Sequence, residues 1–143
     1  MVRISSSLVD DMIGHARDYA PAEACGLVAG RDGQPVKVYK LRNAEPEATR
    51  NIRYLIEPRD QLRALREMDD ENTELFAIFH SHPATQAYPS ATDVARSQVP
   101  DTGESLFPDT YYIIVSLQNP AEPVVRAFKI LDGKIEEHPV EVV

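Results

Sequence analysis

Residues 75–93 read LFAIFHSHPATQAYPSATD. The apolar run Leu75 to Phe79 predicts a short strand, and it leads straight into His80-Ser81-His82. Side chains alternate faces along a strand, so residues i and i+2 point the same way. The imidazoles of His80 and His82 can therefore reach one ion, and neutral imidazole is a good zinc ligand. A loop rich in Pro and Ala follows, with Pro83 and Pro89. Ser90 then starts a short helix running to about Ala95, with Asp93 in its first turn, where an acidic side chain suits both a capping box and the helix dipole. The seven residues between His82 and Ser90 are enough for the chain to fold back over the strand end. Asp93 can then be a third ligand, and two histidines plus one carboxylate leave a fourth tetrahedral position open, as in catalytic zinc sites.

The rest of the composition narrows the chemistry. The chain has 143 residues, the size of one domain, with 43% hydrophobic and 27% charged residues, which predicts a globular core. Its single cysteine, Cys25, excludes an intramolecular disulfide and a Cys-rich zinc site, so a metal must be held by His and carboxylate. There are only four histidines, and the two outside the motif, His15 and His138, are expected to be bystanders, His15 at the surface or rim of the first helix. The net charge of −8 is spread unevenly, with three basic and eight acidic side chains in residues 101–143. Phosphate contacts need clustered Lys and Arg, so nucleic acid is not an expected partner. No apolar run reaches the length of a membrane span and the N-terminus shows no secretory pattern, so a soluble, cytoplasmic protein with no membrane partner is predicted. Gly-rich phosphate loops, His-Glu-x-x-His, Gly-x-Ser-x-Gly and Cys-x-x-Cys are all absent.

Working outward, residues 2–4 suggest a first strand, and Leu8, Val9, Met12, Ile13, Ala16 and Tyr19 recur at helical spacing over 7–20, with Ser6 or Ser7 as cap. Glu23 to Gly30 reads as a buried strand, with a hairpin partner over 36–41 beyond the Arg31-Asp32-Gly33 turn. Further strands are predicted at 52–57, 111–117 and 124–131. A helix opening at Pro58 runs to about Asp70, and 98–110 is a surface loop. Lys134 to Val142 is expected to close the sheet as one strand after the Asp132-Gly133 turn. Strands in hairpins with helices inserted predict an α+β fold with a mainly antiparallel or mixed sheet flanked by helices. Glu23 is the candidate base, because a carboxylate opening an otherwise apolar strand is locally odd. Its bland alternative is a solvent-facing strand end. Cys25 among apolar neighbours is expected to be buried and inert. Ser81 should point away from the two histidines and carries no assigned chemistry.

Together, Glu23, then His80-Ser81-His82-Pro83, then Ser90 and Asp93 fill every position of a pattern that resembles the JAMM (MPN+) zinc metalloprotease signature. The resemblance extends to the opening helix, the EACGLVAG strand, Tyr54 to Pro58 and the 111–117 strand, so it covers essentially the whole chain. It implies a single JAMM/MPN+ catalytic domain over residues 1–143 with a cytidine-deaminase-like fold. His80, His82 and Asp93 would bind one zinc per chain. Glu23 would act as general base and then protonate the leaving amine, and Ser90 would help stabilise the oxyanion. The implied reaction is hydrolysis of a peptide or isopeptide bond after the C-terminal Gly-Gly of a ubiquitin-like protein. HSHPATQAYPSATDV and the tail EEHPVEVV look most like the bacterial Mec-type branch, which removes cysteine from a small ubiquitin-like sulfur carrier. The 97–110 segment is longer than that branch suggests, and its place after Asp93 would set it beside the substrate channel. Two other readings stay open: a non-catalytic MPN-like interaction scaffold, and a zinc amidohydrolase acting on another small substrate. Oligomeric state is not legible in the sequence.

Overall fold

In the computed structural model, which describes residues 1–143, the chain runs β1 (Val2–Ile4), α1 (Ser6–Tyr19), β2 (Cys25–Arg31), β3 (Gln34–Leu41), α2 (Pro58–Asp70), β4 (Glu74–His82), α3 (Ala91–Arg96), β5 (Tyr111–Ser116), β6 (Val124–Leu131), β7 (Lys134–His138) and β8 (Val140–Val142). Six strands form one mixed sheet in the order β3-β2-β4-β5-β6-β7. Only β4 and β5 are parallel neighbours, and the connection between them carries α3. β4 sits inside the sheet, and its residues Ala77 to His82 are all buried. Its odd-numbered residues Ala77 and Phe79 pack with Met12 and Ala16 of α1. On the other face Ile78 packs with Ala64 and Met68 of α2. The alternation thus puts His80 and His82 on the α2 face, away from α1.

Local chemistry fixes the helix starts. Ser5 caps α1 by accepting from the Leu8 N–H at 3.3 Å, one residue earlier than the sequence suggested. Glu57 caps α2 by accepting from the Asp60 N–H at 2.9 Å, with Pro58 in the first turn. Gly26 lets β3 and Phe79 close on β2. A Cβ there would lie 2.1 Å from the Tyr39 carbonyl oxygen and 2.3 Å from Phe79 Cε1. Gly26→Ala is expected to destabilise the protein by about 3 kcal/mol, the upper end of overpacking costs, read as a lower urea midpoint at unchanged slope.

Three expectations are corrected. Residues 52–57 are not a strand. The chain turns through 46–53, where Arg50 N–H donates to Pro46 O and Arg53 N–H to Thr49 O, leaving only an isolated bridge between Asn43 and Ile56. The segment from 134 to 142 divides at Pro139, which has no N–H to continue a ladder. Val140–Val142 instead pairs in parallel with Val2–Ile4 in a separate two-stranded sheet. His15 is buried, and its Nε2 lies 3.0 Å from Cys25 O and 3.2 Å from Leu41 O. Burial holds its pKa below the ordinary value, so a neutral ring donates to those carbonyls and ties α1 to β2 and β3. No helix is long and apolar enough to cross a membrane.

Candidate metal and catalytic centre

Sheet register brings the distant residues together. β2 pairs antiparallel with β4, with Cys25 opposite His80. The pairing runs on past the strand end, because Ser81 N–H donates to Ala24 O at 3.0 Å and Ser81 Oγ accepts from the Ala24 N–H at 2.8 Å. One residue further, this register sets Glu23 opposite His82. Ser81 does face away from the histidines, yet it is the clamp that fixes the base-bearing segment against them. Sequence alternation gave its direction correctly but not this role.

His80 Nε2 and His82 Nε2 lie 3.1 Å apart, and Asp93 Oδ2 lies 3.1 Å from the first and 3.2 Å from the second. Both imidazoles are buried. Glu23, 5% exposed, offers a carboxylate oxygen within 4.8 Å of a nitrogen of each histidine. Glu23 is therefore no solvent-facing strand end, and its Oε1 has no hydrogen-bond partner.

Ser90 and Asp93 keep the capping role read from the sequence. Ser90 Oγ accepts from the Asp93 N–H at 3.1 Å, and Asp93 Oδ2 accepts from the Ser90 N–H at 2.9 Å. The same Oδ2 faces the two histidines, so the cap aims the carboxylate. On the other side, His82 Nδ1 lies 2.8 Å from the Gln86 carbonyl oxygen. A carbonyl only accepts, so Nδ1 carries the proton and the Nε2 lone pair faces Asp93 and His80.

These donors fit a metal ion. A tetrahedral zinc with bonds of about 2.0–2.1 Å needs ligand atoms about 3.3 Å apart, close to the three separations found. Two imidazoles and a carboxylate suit zinc chemically, and the orphaned Glu23 oxygen is a buried acceptor beside them. The electrostatics agree. Burial would raise the Asp93 carboxyl, but His80, His82 and the Ser90 N–H outweigh it and hold it well below the usual range. Burial pushes the Glu23 carboxyl up to about 8, with Asp93 adding to the rise and His82 and Arg96 opposing it. Cys25 is fully buried, its thiol pushed up to about 12 by burial and then by Glu23 and Asp60, so it is not a nucleophile.

Two neighbours had no functional signal in the sequence. The Tyr54 ring stacks on His80 with centroids 4.5 Å apart at 23°. Arg96 of α3 reaches back to the 43–57 segment, donating to the Tyr54 carbonyl oxygen at 2.5 Å and pairing with Glu45 at 2.7 Å. Beside them, a cavity of about 150 Å³ lies between α3, α2 and the sheet, with Asp93, Ser97 and Phe107 in its wall. Part of the 97–110 segment thus lines the space next to the centre.

Residues 5–131 match a family described as prokaryotic homologs of the JAB domain. The chain is 38% identical over 142 residues to the CysO-cysteine peptidase of Mycobacterium tuberculosis, covering 98% of this chain and 90% of that protein. It is 36% identical over 133 residues to the probable TtuB-protein conjugate cleaving protease of Thermus thermophilus, covering 92% and 77% respectively. A solution structure of a protein from Desulfitobacterium hafniense superposes with a TM-score of 0.83 at 33% identity, over 100% of this chain and 93% of that one.

Proposed function

The chain belongs to the prokaryotic JAB-domain family and is a hydrolytic metalloprotease, and from that premise we propose that it cleaves the C-terminal tail of a small ubiquitin-like sulfur-carrier protein. The bond cut is the peptide or isopeptide bond after Gly-Gly, and cysteine is a residue it can release. Residues 1–143 act as one catalytic domain, in the cytoplasm, with one zinc per chain held by His80, His82 and Asp93. The observation that carries the reading is the convergence of His80 Nε2, His82 Nε2 and Asp93 Oδ2 within 3.1–3.2 Å beside the unpartnered Glu23 carboxylate. The names of the mycobacterial and Thermus relatives support the substrate class. A non-catalytic scaffold would have no use for this buried donor set.

Zinc held there would supply Lewis acidity toward a carbonyl oxygen and would acidify water. The protein's own groups do the rest. Glu23 takes a proton from the attacking water, whose oxygen bonds to the carbonyl carbon. The C–N bond breaks, and Glu23 returns the proton to the departing nitrogen. A carboxyl lifted by burial well above the ordinary carboxylate range holds a proton more firmly and suits both transfers. Ser90, its Oγ lone pair engaged by the Asp93 N–H, keeps its hydroxyl proton to donate to the oxyanion. Gly-Gly gives the backbone clearance a narrow channel needs.

The test is incubation of the zinc-loaded protein with a ubiquitin-like sulfur carrier extended past Gly-Gly, read by mass spectrometry. Loss of only the residues after Gly-Gly is expected. An intact carrier overturns the substrate assignment.

A further inference from the structure

We infer that the cavity beside Asp93 is the pocket for the side chain of the released residue, and that it takes an apolar side chain larger than that of cysteine. The inference rests on cleavage after Gly-Gly. The cavity measures about 150 Å³, and Asp93 is part of its wall. Tyr54 joins it to the centre, stacking on His80 and also lining the cavity. The cavity therefore adjoins the centre across Tyr54 and Asp93. The two residues before the bond being cut are glycines and have no side chain to place there. The residue after it is the neighbour that does.

The walls state the chemistry. Ile56, Ile78 and Tyr112 are buried beneath the cavity, and Phe107 closes it from the 97–110 segment. The lining is mostly apolar, with Gln61, Asp93, Arg96 and Ser97 as its polar part, and the volume suits a benzene-sized group. A thiol-bearing methylene would leave much of it empty, whereas a Leu, Met or Phe side chain would fill it. The one cation in the wall, Arg96, already serves the Tyr54 carbonyl and the Glu45 carboxylate, so it does not recruit an acidic side chain. Asp93 itself disfavours one.

The experiment uses the full chain with zinc and a series of carriers ending Gly-Gly-X, where X is Ala, Cys, Met, Leu, Phe or Asp. kcat/KM is expected to be about 10–200-fold higher for Leu or Met than for Ala, the usual return on filling an apolar pocket, with Cys near Ala and Asp lowest. The same order is expected in the affinities of these conjugates for the Glu23→Gln protein, measured by calorimetry. Phe107→Ala, on an irregular segment, should move the optimum toward bulkier X. Ser97→Leu, which fills the cavity, should erase the advantage of Leu and Met. A wild-type profile that is flat across X, or that peaks at Cys or Asp, overturns the inference while leaving cleavage after Gly-Gly intact. A protein that cleaves none of the series overturns the carrier reading and this pocket assignment with it.

Discussion

Glu23→Gln is expected to lower kcat by about 10³–10⁴-fold, the upper range for loss of a general acid–base group, while zinc content stays that of the wild type. The substitution keeps shape and volume and removes only the ability to accept a proton. Glu23 stands within 4.8 Å of both histidines but is not among the three atoms separated by 3.1–3.2 Å. Losing its charge should therefore leave metal retention intact. The backbone ties that hold the segment, Ala24 to Ser81 and the Asn43 side chain to the Glu23 carbonyl at 2.9 Å, do not involve its carboxylate. Turnover by mass spectrometry, with metal content by elemental analysis, checks both halves. A Gln variant that turns over at the wild-type rate would remove Glu23 from the reaction.

The second large effect is expected at Asp93. Asp93→Asn retains a side-chain oxygen that can accept from the Ser90 N–H, so α3 keeps its cap. It loses the anionic ligand on which His80 and His82 converge. Zinc content should fall from about one per chain to near zero, and cleavage should become undetectable. Thermal melting separates this from simple unfolding. A ligand at about 100-fold over its Kd stabilises the folded state by about 2.7 kcal/mol, so zinc should raise the Tm of the wild-type protein and a chelator should reverse the rise. In Asp93→Asn the zinc-dependent rise should vanish, and the chelated variant should melt cooperatively at or below the chelated wild type, because it also loses the carboxylate's contacts with the two imidazoles. A variant that still gains stability from zinc would show that Asp93 is dispensable as a ligand.

Much of the centre was readable because its parts obey local rules. Alternation put His80 and His82 on one face, and the Ser90-x-x-Asp93 spacing announced a capped helix, as found. The hairpin of β2 and β3 and the existence of β5 follow from apolar runs bounded by turns, whereas the parallel pairing of β5 with β4 did not show in the sequence. What escaped depended on single side chains acting over distance. Asn43 Oδ1 accepts from the Glu45 and Leu55 N–H groups, and its Nδ2 donates to the Glu23 and Arg53 carbonyls. Those bonds replace the ladder that a strand over 52–57 would have made. His15 looked like a rim residue because its helical neighbours are mixed in polarity. Its burial depends on carbonyls 10 and 26 residues away. The stack of Tyr54 on His80 is equally non-local, and nothing in the sequence near Tyr54 signals it.

The clamp between Ala24 and Ser81 has a consequence for how the chain acquires its activity. Because side chains alternate, a slip of one residue between β2 and β4 would turn Glu23 to the α1 side while the histidines stayed on the α2 side. A chain paired wrongly would keep His80, His82 and Asp93 together yet lack the base beside them. Turnover, not metal content, thus audits the sheet: only molecules whose central strands have found the correct alignment set the base beside the ligands. During refolding, recovery of activity would keep time with that alignment.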